Sequence, residues 1–263
     1  EVPQESIEKT PEEYGKDLFK NMEIKNPKET GIIILGDAGV NFYKSKARRH
    51  DIKMQLENYG CTFYLVRGNH EARPEDVEDI KEVWDDDVAN YVFIEPGYPH
   101  IHYLMDGSNY DFLGHNTLVI GGAYSVDKWY RLEHHYTWYP NEQLTEAEMQ
   151  AIEAMYAGQS FDFVFTHTCP LSWEPTDLFL SMIDQSTVDD SMEVWLDSFK
   201  DKINWNVWLF GHFHADRMER PHVEQYFKAI EDLEEVWNRW NDPNYLSSTY
   251  FRKSPNFDKG KAE

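Results

Sequence analysis

Short apolar runs alternate along this chain with longer stretches in which apolar residues recur at helical spacing. Continuous apolar runs are typical of strands covered on both faces, and they predict strands at 32–35, 61–66, 91–95, 100–105, 117–121, 162–166 and 206–210. Helical spacing predicts helices at 10–26, 47–59, 75–88, 144–157, 187–200 and 226–240. Buried strands that alternate with helices favour an α/β sandwich.

Local signals fix some of these boundaries. Thr145 and Glu148 have the spacing of a capping box, which predicts the start of a helix. The residues after 240 are rich in Asn, Ser and Pro, which predicts an extended tail over 241–263. We therefore expect one domain over 1–240. The chain begins at Glu1 and reaches its first strand-like run only at 32, which favours a processed or truncated polypeptide.

Composition narrows the class of protein. The chain has 263 residues, 41% of them hydrophobic, which is enough to bury the core of one large domain. A formal charge of -23 argues against a partner that is a nucleic-acid polymer, because such affinity comes largely from Lys and Arg. The acidic stretches 75–87 and 231–235 are expected to be solvated helix faces. No membrane-length apolar run or signal peptide is visible, so a cytoplasmic location without membrane contact is expected.

Residue types that bind metals follow four of the apolar runs. Asp37 comes after 32–35 and Gly36, Asn69 and His70 come after the run ending at 66, and His167 follows 163–166. Strand ends and the loops after them are where α/β folds assemble sites. These dispersed side chains are therefore expected to meet in one metal site.

The last run ends in His212 and His214. Residues at i and i+2 of an extended segment point to the same side, so two imidazoles there can hold one ion each or share one. Cys61 and Cys169 are too few for a disulfide framework or a Cys-type zinc site. Cys61 is expected to be buried, and Cys169 lies beside His167, where it could touch the site.

Together these motifs resemble those of the calcineurin-like metallophosphoesterases. The resemblance is carried by Gly36-Asp37, Gly68-Asn69-His70-Glu71, His167 and Gly211-His212-Phe213-His214, and Gly121-Gly122-Ala123-Tyr124-Ser125 with Asp127 and Arg131 resembles a segment of bacterial and phage members. It implies a four-layer sandwich of two packed mixed β-sheets flanked by helices. It also implies a dinuclear site of two divalent ions, such as Mn, Fe or Zn.

The resemblance assigns roles residue by residue. Asp37 would bridge both ions, Asn69, His167 and His212 would complete one site, and His214 would belong to the other. Phosphate mono- or diesters would be hydrolysed by a hydroxide that bridges the ions, because two metals can hold both oxygens of an in-line displacement. His70 would act as general acid.

The substrate is expected to be a small phosphorylated molecule or a phosphoprotein. Arg73 and Arg131 are candidates to clamp its phosphate bidentately, and Tyr124 is a candidate to line the pocket. Arg67 is expected to pair structurally.

The sequence departs from the family at two places. An Asp that often follows the bridging Asp is replaced by Asn41, which leaves open the partner that orients His70. The family's opening Asp-x-His is absent between Glu1 and Gly31, so two ligands of the ion shared by Asp37 and His214 are missing. Truncation of the first strand is the expected reason, and its loss would expose a sheet edge.

Two alternatives stay open from the sequence. His212-Phe213-His214-Ala215-Asp216 resembles the His-x-His-x-Asp of the metallo-β-lactamase group, although Arg217 stands where that pattern has His. The other alternative is a metal-binding or scaffolding protein of the same fold that has lost catalysis.

Overall fold

The computed structural model describes residues 24–181, 183–243 and 245. Its strands are β1 Gly31–Ile34, β2 Thr62–Leu65, β3 Lys81–Asp85, β4 Asn90–Ile94, β5 Ile101–Tyr103, β6 Ser108–Phe112, β7 His115–Ile120, β8 Ser160–Thr166, β9 Asn204–Phe210, β10 Arg217–Arg220 and β11 Val223–Gln225. Its α-helices are α1 Lys46–Glu57, α2 Lys128–Glu133, α3 Glu146–Tyr156, α4 Ser191–Phe199 and α5 Leu233–Asn241. Short 3-10 turns occupy Pro27–Glu29, Pro74–Asp76, Leu171–Trp173, Thr176–Leu178 and Gln185–Thr187.

The strands form two mixed sheets. The first has the order β1-β2-β5-β4-β3 and the second β10-β11-β9-β8-β7-β6. Strands β1, β2 and β5 run parallel in the first sheet, as do β7, β8, β9 and β11 in the second. Because parallel strands end at the same edge, each sheet brings its carboxyl-terminal loops together.

Alternate residues of the central strands separate three hydrophobic layers. In β8, Phe163 and Phe165 face the other sheet, whereas Val164 packs with α3 and α4. In β2, Phe63 packs with α1, whereas Tyr64 faces the second sheet. The molecule is therefore layered as helix, sheet, sheet and helix, which confirms the predicted four-layer sandwich.

The acidic stretch after residue 74 is the clearest error of the sequence prediction. A helix was expected at 75–88, but the chain makes a 3-10 turn and then strand β3, paired antiparallel with β4. Most of β3 faces solvent, so the strand lacks the alternation of apolar and polar residues that would have marked it as a strand. Its pairing comes from the partner strand, with Trp84 edge-on to Tyr91 at 5.2 Å between ring centroids.

Several other helix and strand boundaries differ by a few residues from those predicted. Helices α4 and α5 begin at Ser191 and Leu233, later than predicted, because Gln185–Thr187 forms a 3-10 turn and Asp232 caps α5. The sequence pattern did not predict β6, β10, β11 or α2, all of which are short or polar. The predicted helix at 10–26 falls almost entirely outside the described residues, as does most of the predicted tail at 241–263.

Strand β1 forms one edge of its sheet. In the part of the chain that the structure describes, β1 pairs with β2 alone. A cavity of about 2610 Å³ runs beside this edge, where Ile33, Phe165 and Leu209 line it, and continues to the strand ends that carry the candidate ligands. This volume exceeds the roughly 300–1,000 Å³ of ordinary ligand pockets.

None of the described helices is both long and apolar enough to span a lipid bilayer.

Candidate metal centre

The four predicted ligand segments meet at one end of the two sheets. Asp37 follows β1, Asn69 follows β2, His167 follows β8 and His212 follows β9, each within a few residues of the strand end. All four side chains line one cavity. The sequence interpretation that dispersed strand ends build one cluster agrees with this geometry.

Asp37 stands at the centre of the cluster. Its Oδ1 accepts the backbone N–H of His70 at 2.9 Å, and its Oδ2 lies 3.5 Å from Nε2 of His167. Burial alone would raise the pKa of this carboxyl, but His167 and His70 hold the pKa well below its usual range. Its backbone has a φ of 56°, in the left-handed region that costs a non-glycine residue free energy. Asp37 is therefore a partly buried anion held in a strained conformation.

Asn69 is oriented by a chain of hydrogen bonds. Its Nδ2 donates to Ser125 Oγ at 2.8 Å, and that hydroxyl donates to Glu142 Oε2 at 2.5 Å. The backbone N–H of Ser125 donates to the other oxygen of Glu142 at 3.0 Å. Because Nδ2 is held in this way, the amide oxygen Oδ1 points to His167. Ser125 belongs to the Gly121-to-Ser125 motif of the sequence, but no sequence pattern pointed to Glu142.

Both ring nitrogens of His167 face oxygen acceptors. Nδ1 lies 2.7 Å from the carbonyl oxygen of Leu35, and Nε2 lies 2.9 Å from Asn69 Oδ1. Burial favours the neutral ring, but the Asp37 carboxylate and the Leu35 carbonyl raise the pKa of His167 above its usual value. A proton on Nε2 is therefore stabilised by the acceptors of Asp37 and Asn69, which converge on this nitrogen.

The His212 and His214 pair differs from the sequence expectation. The segment was expected to be extended, with both rings on one side, but His212 and His214 have φ values of 66° and 56°. His212 faces His167 at 5.0 Å between ring centroids, whereas His214 stacks on Phe227 at 4.8 Å. Burial and the neighbouring His167 lower the pKa of His212 well below its usual value. The turn therefore places one imidazole inside the cluster and the other at its rim.

His70 lies beside the cluster with its ring edge against Phe42, at 6.1 Å between centroids. Asn69 Nδ2 lies 3.3 Å from its Nε2, so this nitrogen accepts from the amide. Burial lowers the pKa of His70, and the Arg131 guanidinium lowers it further, against the opposing effect of Asp37. Asn41 does not orient the ring, because its amide donates to Tyr103 Oη at 3.1 Å.

Arg131 and Tyr124 line the same cavity as the cluster. Arg131 is held by Asp127, with Nε 2.7 Å from Oδ2, and its guanidinium carbon lies 5.4 Å from the centroid of the Phe42 ring. The Tyr124 side chain is buried, with its hydroxyl 3.5 Å from the carbonyl oxygen of Thr187. Their predicted contact with substrate is compatible with these positions.

Arg73 was predicted to clamp the substrate phosphate, but its guanidinium is bound by other groups of the protein. Its guanidinium donates to the Glu148 carboxylate and to the carbonyl oxygens of Asn141 and Gln143, at 2.5–3.3 Å. Arg67 is similarly engaged, with Nε 2.7 Å from Asp106 Oδ2, as the sequence suggested. Both arginines tie the long 121–145 connection to the strand ends, and this geometry does not support a phosphate clamp at Arg73.

The structure excludes two roles that the sequence left open, one for Asp216 and one for Cys169. Asp216 Oδ1 accepts three backbone N–H groups, from Phe227, Lys228 and Ala229, at 2.6–2.9 Å. It therefore organises a loop instead of completing a His-x-His-x-Asp metal site. Cys169 is a free, buried thiol in the core beneath α3 and α4, and burial raises its pKa well above the usual value.

A family model for calcineurin-like phosphoesterases matches residues 14–216. The chain belongs to the calcineurin-like phosphoesterase family. The two mixed sheets with their outer helices agree with the fold of this family, whose members hydrolyse phosphoesters and generally bind divalent metals. No curated protein matches the sequence.

Glu71 holds the loop that follows Asp37 in this calcineurin-like phosphoesterase. Its Oε1 accepts the backbone N–H of Gly39 at 3.1 Å, and burial together with the charge of Asp37 raises its pKa to about 7. A carboxyl with a raised folded pKa stabilises the fold below its unfolded pKa of 4.5, and that stability is lost as pH rises through 7.

We expect Glu71→Gln to flatten part of this pH dependence. In chelator, wild-type protein should lose up to about 3 kcal/mol of unfolding free energy through this group between pH 4.5 and 7.5. The Gln variant should lose less, because it carries no titrating charge there. Urea unfolding at a series of pH values measures both slopes, and Glu146→Gln, at an exposed position of α3, is the control. Equal slopes in wild type and Glu71→Gln would contradict the assignment.

Proposed function

We propose that this chain hydrolyses phosphate esters with the aid of divalent metal ions held by Asp37, Asn69, His167 and His212. The observation that carries the proposal is that these side chains come together in one cavity at the ends of four strands. Family membership supports the reaction class, and the geometry supports the choice of residues.

The donor set fits one ion of the borderline type. It offers a carboxylate oxygen, an amide oxygen and two imidazole nitrogens, which suit Mn, Fe or Zn. Among the described residues, no three His, Cys, Asp or Glu side chains stand in a preformed metal shell. In this arrangement Nε2 of His167 faces the oxygens of Asp37 and Asn69, which favour a proton on this nitrogen. Loss of that proton would free three ligand atoms at once, so metal affinity is expected to rise with pH.

A second ion is supported less completely. Asp37 and His214 are its candidate ligands, and the charge of Asp37 reaches His214. Among the described residues, no third His, Cys, Asp or Glu side chain joins Asp37 and His214 in a metal-binding group. This incompleteness is the specific observation that favours the alternative function, a metal-binding or scaffolding protein of the same fold without turnover.

The chain's own residues have separable roles in hydrolysis. Bound divalent ions would supply Lewis-acid chemistry, which polarises phosphoryl oxygens and lowers the pKa of water. Arg131 lies at the cavity wall, where its guanidinium can bind phosphate oxygens that arrive beside Phe42. Tyr124 and the surrounding aromatic residues exclude water from the ester group.

His70 would donate a proton to the leaving-group oxygen. In the free protein its lowered pKa leaves the ring neutral near pH 7. A phosphate dianion that enters the cavity adds negative charge beside the ring and raises this pKa, so the proton is taken up where it is needed. The general-acid role therefore depends on substrate charge.

We extend the proposal to small phosphorylated molecules or phosphoproteins as substrates, with Mn²⁺ as the first metal to test. The net charge of -23 argues against nucleic-acid polymers. Two free, buried cysteines are compatible with a cytoplasmic location.

The proposal is tested by hydrolysis of p-nitrophenyl phosphate and bis(p-nitrophenyl) phosphate. The protein is first stripped with chelator and then supplied with Mn²⁺, so that each preparation is its own control. Turnover that appears only with metal supports the proposed function, and the ratio of the two rates assigns monoester or diester chemistry. Stoichiometric metal binding without turnover would support the scaffolding alternative.

We expect Ser125→Ala to weaken metal binding about 10- to 100-fold, the usual cost of removing a group that orients a ligand. The variant removes the acceptor of Asn69 Nδ2, so the amide no longer aims its oxygen at the cluster. Competition for Mn²⁺ against a fluorescent chelator measures the affinity. Ser198→Ala on an exposed turn of α4 is the control, and an unchanged affinity for Ser125→Ala would show that the amide is held by other contacts.

A further inference from the structure

A second group of carboxyls lies in the same cavity beyond the metal centre. Glu193, on α4, is 5% exposed, and its Oε1 accepts the hydroxyl of Thr168 at 2.6 Å. Thr168 directly follows His167, so this carboxyl is one residue removed from the ligand cluster. Its other oxygen, Oε2, is buried and has no hydrogen-bond partner among the described residues. A buried acceptor without a partner costs free energy unless a ligand supplies the donor.

Glu174 lines the same cavity, and its charge acts on Glu193. Burial raises the pKa of each carboxyl to about 7, and the charge of Glu174 adds to the shift at Glu193. Within the described ranges, no Lys or Arg forms an ion pair with either residue. The two carboxyls therefore form an acidic group that no Lys or Arg of the described residues pairs with.

Aromatic side chains line the same cavity as these carboxyls. Phe179 and Phe213 stack at 6.3 Å between ring centroids, and Phe213 stands between His212 and His214 in the sequence. Tyr124, the residue before Ser125, also lines the cavity. Carboxylates combined with aromatic faces attract cationic nitrogen groups, through ion pairing and cation–π contact. We call the group formed by Tyr124, Glu174, Phe179, Glu193 and Phe213 the acidic lobe.

We propose that the acidic lobe binds an ammonium group on the leaving-group alcohol of the phosphoester, with Glu193 as the residue that determines this specificity. The inference rests on the proposed function, because the lobe adjoins the centre where the phosphoryl group would lie. The phosphoryl end meets metal and Arg131, and the alcohol extends past His212 toward Glu193. An amine there donates a hydrogen bond to the unpartnered Oε2 and adds the positive charge that the lobe lacks.

A neutral apolar alcohol fits the lobe poorly. It would return no donor to Glu193, so Oε2 of that residue would stay buried without a partner. A negatively charged leaving group would be repelled by Glu174 and Glu193. The expected selectivity is therefore for amino alcohols over alkyl alcohols of the same size.

The test compares 2-aminoethyl phosphate with propyl phosphate, which replaces the ammonium by a methyl group. With Mn²⁺ present, release of inorganic phosphate gives kcat/KM for each ester. We expect wild type to prefer 2-aminoethyl phosphate at least about tenfold, the value of one charge-assisted hydrogen bond. Glu193→Gln should remove most of this preference. Asp201→Asn, whose side chain is 78% exposed just after α4, is the matched control and should keep the preference.

A binding measurement separates this inference from the proposed function. 2-Aminoethylphosphonate has a P–C bond that is not hydrolysed, and its affinity against propylphosphonate is measured by calorimetry with Mn²⁺ present. Tighter binding of the amino compound to wild type but not to Glu193→Gln supports the lobe even if no ester turns over. The inference would be overturned if wild type bound the two phosphonates equally well, or if Glu193→Gln kept the wild-type substrate preference. Glu174→Gln, at a less buried carboxyl, gives the same comparison if Glu193→Gln does not fold.

Discussion

Asp37→Asn is expected to reduce metal-dependent phosphoester hydrolysis by about 10³-fold or more. Asp37 is the only anionic group among the four candidate ligands, and its carboxylate lies between His70 and His167. An amide of the same size keeps the hydrogen bond from His70 but loses the charge that a divalent ion requires. Metal catalysis contributes several kcal/mol of transition-state stabilisation, and each 1.4 kcal/mol is tenfold in rate.

The measurement is the initial rate of p-nitrophenyl phosphate hydrolysis at saturating Mn²⁺, with metal content determined in parallel. Asp51→Asn, at an exposed position of α1, controls for the loss of one charge and should keep the wild-type rate. Turnover by Asp37→Asn within tenfold of wild type would show that the reaction does not depend on this centre. Reduced turnover with full metal content would instead assign Asp37 a role other than holding the ion.

Gly36→Ala is expected to remove both metal binding and several kcal/mol of stability. Gly36 has a φ of +96°, and a Cβ there would lie 2.0 Å from Nδ1 of His167. That nitrogen is held by the carbonyl oxygen of Leu35, so the ring cannot move without losing its hydrogen bond. Backbone strain and a steric clash with a buried ligand belong to the mechanisms that give the largest effects, about 3 kcal/mol or more.

Gly114→Ala isolates the steric part of this effect. Gly114 has a φ of +88°, yet a Cβ there meets nothing within 4 Å, so it has the same backbone penalty of about 1–2 kcal/mol without a clash. Urea unfolding measures the loss of stability in each variant. The Mn²⁺ affinity of each variant reports whether the ligand geometry is kept. Equal losses of stability in the two variants would mean that His167 yields easily and that the packing is looser than the structure indicates.

The sequence predicted the fold because the buried strands carry strong local signals. The runs at 32–35, 162–166 and 206–210 are apolar on both faces, since each strand is covered by the other sheet and by helices. Strands β3, β10 and β11 lack such coverage or such length, and only their partners define them. For this reason the acidic β3 was mistaken for a helix, whereas β8 was predicted within two residues at its start.

The candidate ligands were also accessible from sequence, because ligands follow the strand ends. Their supporting partners were not. Glu142 reaches Ser125 across 17 residues, and the Leu35 carbonyl reaches His167 across 132 residues. Arg73 had the sequence context of a phosphate ligand, but its orientation is decided by Glu148 on a helix 75 residues away. Such contacts depend on how distant loops pack, and one sequence carries no local signal for them.

Three of the candidate metal ligands, Asp37, His212 and His214, have left-handed backbone conformations that L-residues adopt at a cost of about 1–3 kcal/mol each. Glycine at any of these positions would relieve that cost and remove a ligand in the same step. Laboratory evolution of this protein for heat resistance alone would therefore enrich variants that are more stable but have lost a metal ligand. A thermostabilisation programme should select for retained metal binding at every round.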